Sequence, residues 1–253
     1  MPLILAGLAV LTVGAELVVR YGARLARRVG IPPMLVGLTI VSLGTSLPEL
    51  AIGIDAVRSH AGSLAVGNIA GTNVVNLLLI LGLSAAIRPV FLGMQTLRLD
   101  VPAMALAGLL VFAFAADGTL TALEGAILAV AAVAYTLLLI RQTRREDAPV
   151  VAEFDDEYPV DRSNLPVQLV LLVAGLAVIL VGADLLVRGA VAVARDFGIS
   201  DAIVGLTIVA IGTSAPELAT TLIATFRGDR DIAIGNLIGS STYNLTFILG
   251  GAL

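Results

Sequence analysis

The sequence contains no cysteine, no tryptophan and no lysine, and it is poor in aromatics (4%) and in charge (13%). Without cysteine there is no disulfide framework, thiolate metal site or thiol nucleophile. So little charge excludes an ordinary water-soluble enzyme, in which about 25% of residues are charged. The scarcity of aromatics, with no strand-like alternation, argues against a transmembrane barrel. A chain this apolar is neither disordered nor a nucleic-acid binder. No Gly-rich phosphate loop, His-metal spacing or nucleophile–base set occurs. What is present is apolar: 58% of the 253 residues are hydrophobic and the mean hydropathy is +1.02. These values describe an all-α membrane protein.

A spanning helix needs about 20 mostly apolar residues. Eight stretches qualify, near 2–20, 33–57, 64–87, 99–116, 120–140, 165–188, 201–226 and 231–253, with a short first connection at Tyr21–Ile31. All 15 basic residues are arginine, and alternating sides put twelve on one face and three (Arg58, Arg188, Arg195) on the other. That bias places the N-terminus outside a prokaryotic-type cell membrane. Met1–Val19 has no basic residue before its apolar run, so it reads as a first span rather than a signal peptide. Seven of the 19 acids (Glu146, Asp147, Glu153, Asp155, Asp156, Glu157, Asp161) fall in one stretch, which reads as a solvated cytoplasmic loop over 142–164.

The chain matches itself without gaps at an offset of 168. Gly37–Leu50 (GLTIVSLGTSLPEL) and Gly205–Leu218 (GLTIVAIGTSAPEL) agree at 11 of 14 positions, and Gly67–Gly82 agrees with Gly235–Gly250 at 8 of 16. Gly14, Glu16 and Arg20 align with Gly182, Asp184 and Arg188. This is a duplicated unit, dividing the chain into a first repeat at 1–141 and a second at 165–253. Five spans separate corresponding points, and an odd number inverts the second copy, as in secondary transporters. The partners of the spans at 99–140 would lie near 267–308, so two helices of a ten-helix pattern are expected to be missing or supplied from elsewhere.

Glu49 and Glu217 are equivalent and deep in apolar runs, where an ionised carboxylate must face a partner, a cavity or an ion. Pro48 and Pro216 free backbone carbonyls just upstream, Gly44 and Gly212 let the chain deviate, and Thr45, Ser46, Thr213 and Ser214 add hydroxyls. An acid, hydroxyls and unwound carbonyls form an all-oxygen cage that suits hard cations such as Ca²⁺, Na⁺ or Mg²⁺. Asn76 and Asn244 add amides, with Thr72 and Ser240 one turn earlier on the same face. Asn68 and Asn236 read equally as ligands or as helix–helix glue. Glu16–Arg20 and Asp184–Arg188 have the spacing of structural ion pairs. Asp55, opposite Ile223 in the repeat, and the lone His60 are left outside the site.

The doubled GTSxPE string, each followed by GN-x-x-G-[ST]-x-x-x-N, resembles the two repeats of the calcium/cation antiporter superfamily, the sodium/calcium exchangers, over residues 4–253 apart from the central loop. The resemblance implies an inverted-repeat helical bundle of the sodium/calcium exchanger type, with eight spans present of an expected ten. It implies ligands at Thr45, Ser46, Glu49, Thr72 and Asn76, and at Thr213, Ser214, Glu217, Ser240 and Asn244, with backbone carbonyls at Ser42 and Ala210. Its cargo would be Ca²⁺ and Na⁺, its partner the lipid bilayer, and no cofactor is implied. Asn244 stands where potassium-dependent relatives and some microbial members carry Asp, so the resemblance implies potassium independence. Alternatives are a proton/calcium antiporter using the same glutamates, a non-transporting ion-binding fragment, and an intramembrane hydrolase with a Glu49/Glu217 acid–base pair, which would lack a nucleophile.

Overall fold

The computed structural model describes residues 2–146, 165–198 and 210–253. Ten helices occupy them: α1 (Pro2–Val29), α2 (Pro33–Thr45), α3 (Leu47–Arg58), α4 (Gly62–Ile87), α5 (Thr96–Asp117), α6 (Ala122–Glu146), α7 (Leu165–Asp196), α8 (Ala210–Thr213), α9 (Ala215–Arg227) and α10 (Arg230–Ala252). Six of these (α1, α4, α5, α6, α7, α10) are long and apolar enough to cross a membrane, and α2 with α3 forms a seventh candidate bent by 43°. The sequence suggested eight spans. The one expected at 201–226 falls partly outside the described residues, and its described part is the pair α8 and α9. The acidic loop lies almost wholly outside them too. Leu78, Leu109, Phe112, Val130 and Val170 point outward from the bundle. Such an apolar exterior suits hydrocarbon rather than water.

The first connection predicted at Tyr21–Ile31 is instead helix, because α1 continues to Val29. Arg20, Arg24 and Arg27 recur every three or four residues and so share one helical face. They line a cavity of about 140 Å³ with Arg227 and Asp229.

The two long helices α1 and α7 are the spine of the bundle, and they touch backbone to backbone. A Cβ on Gly7 would lie 2.5 Å from the Leu186 nitrogen, and one on Gly14 would lie 2.6 Å from the Ile179 nitrogen. The contacts are reciprocal: a Cβ on Gly175 would lie 3.1 Å from the Val18 nitrogen, and one on Gly182 would lie 2.5 Å from the Leu11 nitrogen. Shifting each pair by 168 residues gives the other, so an approximate twofold axis relates the crossing. Small residues permit this approach, which compensates for the weak apolar drive between helices in lipid. Leu11, Val18, Leu25, Leu172 and Ile179 fill the core around it.

The Asp184–Arg188 ion pair forms at 2.9 Å. Its counterpart does not. Glu16 pairs with Arg227 of α9, whose Nε donates to Glu16 Oε2 at 2.6 Å, rather than with Arg20. The position equivalent to Arg227 is Ser59, so this interhelical contact has no copy in the other half.

Methyl groups at the crossing have nowhere to go. Gly14→Ala or Gly182→Ala should lower stability by about 1–3 kcal/mol through overpacking, read as an earlier unfolding midpoint in detergent. Gly82→Ala, with nothing within 4 Å among the described residues, should leave the midpoint unchanged or raise it. Equal losses at all three positions would refute the packing account.

Candidate functional site

The two GTSxPE strings build the same broken helix twice. The break falls at Ser46 (φ −86°, ψ 9°) and again at Ser214 (φ −83°, ψ 4°). Pro48 and Pro216 lie just inside the following helices, α3 and α9. There the missing N–H costs nothing, because first-turn donors have no intrahelical acceptor. Glu49 and Glu217 occupy the first turns of α3 and α9, where the helix dipole favours a negative group. Gly44 and Gly212 were expected to supply backbone freedom, but neither has a positive φ. Instead a Cβ on Gly44 would strike Leu176, and one on Gly212 would strike Val187, both on α7. Those glycines let the broken helices lie close against the spine.

Both glutamates are fully buried, and the hydroxyls that serve them come largely from the opposite repeat. Ser46 Oγ donates to Glu217 Oε1 at 3.2 Å, and the Thr45 and Ser240 hydroxyls lie beside the same carboxyl. Around Glu49, Thr72 Oγ1 donates to Oε1 at 3.5 Å, and Thr213 lies beside it. The arrangement follows the repeat, because Thr72 corresponds to Ser240 and Thr45 to Thr213. The carboxyls are also close enough to repel one another. Neither half forms the site alone.

α4 and α10 supply the amides. Each contains a π-helical segment, Val75–Ile80 and Asn244–Ile248, ending at the equivalent residues Ile80 and Ile248. A π turn adds a residue to the helical repeat and re-aims the side chains around it, commonly at functional sites. Asn76 and Asn244 sit at these turns, both fully buried. Another π turn, Gly37–Val41, immediately precedes Ser42. The spacing of apolar residues carried no sign of these turns.

Among the described residues, several buried atoms here have no hydrogen-bond partner in the protein. They are Oε2 of Glu49 and of Glu217, both amide heteroatoms of Asn76 and of Asn244, and the hydroxyls of Ser214, Thr220 and Ser241. Each such atom costs about 1–3 kcal/mol if left unsatisfied. Carboxylate oxygens, amide oxygens and hydroxyls are the donor types that a hard cation takes. The Ser42 carbonyl lies here too, already accepting the Ser46 N–H at 3.1 Å, Thr45 Oγ1 at 3.2 Å and Ser240 Oγ at 3.4 Å. Ala210 opens α8, one turn before Ser214.

Asn236 belongs with the glue. Its Nδ2 donates to Thr221 Oγ1 at 3.1 Å, and its Oδ1 accepts Thr45 Oγ1 at 3.2 Å, tying α10 to α9 and α2. Asn68 is half-buried and its Nδ2 has no partner among the described residues. Asp55 and His60 are exposed, away from the site. Asn73 and Ser241, equivalent residues outside the ligand set expected from the sequence, meet each other: Asn73 Nδ2 donates to the Ser241 carbonyl at 3.3 Å. A contact between equivalents marks the pseudo-twofold axis. Thr220 was also missed; its position three residues after Glu217, on the same helical face, was the available signal. Asn236→Leu should lower stability by about 1–3 kcal/mol by stripping partners from buried hydroxyls, while Asn68→Leu should cost less. Thermal unfolding in detergent checks the order, and the reverse order would contradict it.

A sequence profile of the family described as sodium/calcium exchanger protein matches residues 1–141 and 167–253. CaxA of Alkalimonas amylolytica, an antiporter by name, is 39% identical over 98% of this chain and 78% of its own length. The sodium/calcium exchanger MaX1 of Methanosarcina acetivorans is 30% identical over 98% of this chain and 81% of its own length. A solved structure of the sodium-calcium exchanger NCX_Mj superimposes with a TM-score of 0.83 at 30% identity, over 99% of this chain and 81% of that one.

Proposed function

Because the chain belongs to the sodium/calcium exchanger protein family, we propose that it is a secondary antiporter that exchanges Na⁺ for Ca²⁺ at the site between its two repeats. The family and the fold are those of membrane transporters rather than enzymes, and the chain is a multi-pass membrane protein. The observation that carries the proposal is the paired burial of Glu49 and Glu217, each with one carboxylate oxygen unpartnered and the other held by a hydroxyl.

The proposed ligands are Thr45, Ser46, Glu49, Thr72 and Asn76 with Thr213, Ser214, Glu217, Ser240 and Asn244, and the carbonyls of Ser42 and Ala210. Two glutamates carry two negative charges, which balance one Ca²⁺ or two Na⁺. Both kinds of ion need the same carboxylates, so they compete instead of binding together. One site with two mutually exclusive occupants, open to one side at a time, is sufficient for antiport. The Ser42 carbonyl must trade some of its hydrogen bonds for an ion, which makes it a ligand of one occupancy state.

The repeats are assigned to 1–141 and 165–253, joined by a cytoplasmic loop at 142–164, with eight spans and the N-terminus outside. In this reading the second repeat enters the membrane inverted, and the inward- and outward-open states exchange the conformations of the two halves. The Asn244 amide, neutral where potassium-dependent relatives carry a carboxylate, supports exchange without potassium.

The test is uptake of radiolabelled calcium into proteoliposomes driven by an outward sodium gradient. Wild-type protein should accumulate calcium only with the gradient, and Glu49→Gln or Glu217→Gln should reduce uptake to background. Robust uptake by either mutant would sink the site assignment. Sodium-independent uptake driven by a pH gradient would favour a proton/calcium antiporter, and calcium binding without uptake would favour an ion-binding fragment.

A further inference from the structure

A third carboxyl lies within a membrane-crossing helix and has no part in the exchange scheme. Asp100 ends the π turn Thr96–Asp100 that opens α5, and it is fully buried. Its neighbours Leu99 and Val101 pack into an apolar cluster with Leu35, Leu139, Ile234 and Ile238. Tyr135 of α6 donates to Asp100 Oδ1 at 3.1 Å, and the Thr96 hydroxyl lies beside the carboxyl. Asp100 Oδ2 has no partner among the described residues.

Among the described residues, the groups facing Asp100 are neutral. α6 presents Tyr135 and α10 presents Tyr243. α2 presents Met34, whose sulfur accepts Thr96 Oγ1 at 3.5 Å. On its own helix, Arg98 is exposed, and no arginine among the described residues pairs with the carboxyl. A carboxylate in such surroundings would be a charge balanced by no cation, and a neutral tyrosine donor does not repay its lost hydration. A bound proton removes the charge and makes Oδ2 a hydroxyl.

The same residues lead toward the proposed cation site. The Tyr135 and Tyr243 rings meet edge to face with centroids 6.0 Å apart, and Thr136 and Tyr243 share a hydroxyl hydrogen bond of 2.7 Å. Tyr243 directly precedes Asn244. The equivalent of Tyr243 in the first repeat is Val75, so duplication does not account for this network.

We propose that Asp100 is a proton-binding site: its carboxyl carries a proton in the working protein, and that proton keeps α5 and α6 seated on α10 behind Asn244. Raising the pH removes the proton, leaves a charge in the apolar cluster and unseats the tyrosine pair. The coupling to Asn244 rests on the exchanger reading; the proton itself does not.

Infrared difference spectroscopy of the protein in lipid, titrated toward alkaline pH, reads the proton without transport. The carbonyl stretch of a protonated carboxyl should be present at neutral pH, be lost as pH rises, and be missing from Asp100→Asn. It should survive in Glu49→Gln and Glu217→Gln. A spectrum that Asp100→Asn leaves unchanged overturns the proposal. In proteoliposomes, wild-type exchange should decline severalfold at alkaline pH, and Asp100→Asn should exchange as wild type does at neutral pH without that decline. Abolished exchange in folded Asp100→Asn would mean that the charged carboxylate is required, and would overturn the proposal; a wild-type profile without an alkaline decline would overturn the coupling.

Discussion

Two buried carboxyls that face one another across the interior of an apolar bundle set the terms for the rest of this structure. Each costs hydration that lipid and aliphatic side chains cannot return, and each raises the cost of the other. The helix breaks at Ser46 and Ser214 follow from this, because they set both glutamates in first turns where the dipole and free N–H groups favour negative charge. The hydroxyls follow as well. Ser46 serves Glu217 from the opposite repeat, so the partial compensation available to each acid depends on the presence of the other half.

That dependence explains why the bundle must be held tightly at its spine. Glycines at the α1–α7 crossing bring backbones into contact at reciprocal positions, which fixes the two halves around an approximate twofold axis. Asn73 and Ser241 meet on that axis. Any loosening there would move the hydroxyls of one half away from the glutamate of the other.

The halves are nevertheless not copies in detail. Glu16 reaches Arg227 while Asp184 stays with Arg188 on its own helix. Asn236 is bonded into the bundle from two sides, whereas Asn68 is half-buried. The tyrosines and Asp100 gather behind the second repeat alone. The two halves therefore share one plan without sharing every contact.

Much of this was legible in the chain itself. Hydropathy marked the membrane helices, because burial in lipid demands long apolar runs. The offset of 168 exposed the duplication, and the GTSxPE strings exposed both acids, their hydroxyls and the helix breaks, because residue type and local spacing determine those features. What local spacing does not encode is which side chains meet across the bundle. Ser46 lies three residues from Glu49 yet serves Glu217, and Glu16 passes over Arg20 for an arginine 211 residues away. The π turns left no mark on apolar periodicity, and nothing in the sequence around Asp100, two residues from Arg98, marks it as buried. Its burial, like the pairing of the glutamates, was decided only where helices cross, and those crossings depend on side-chain volume at contacts far apart in the sequence.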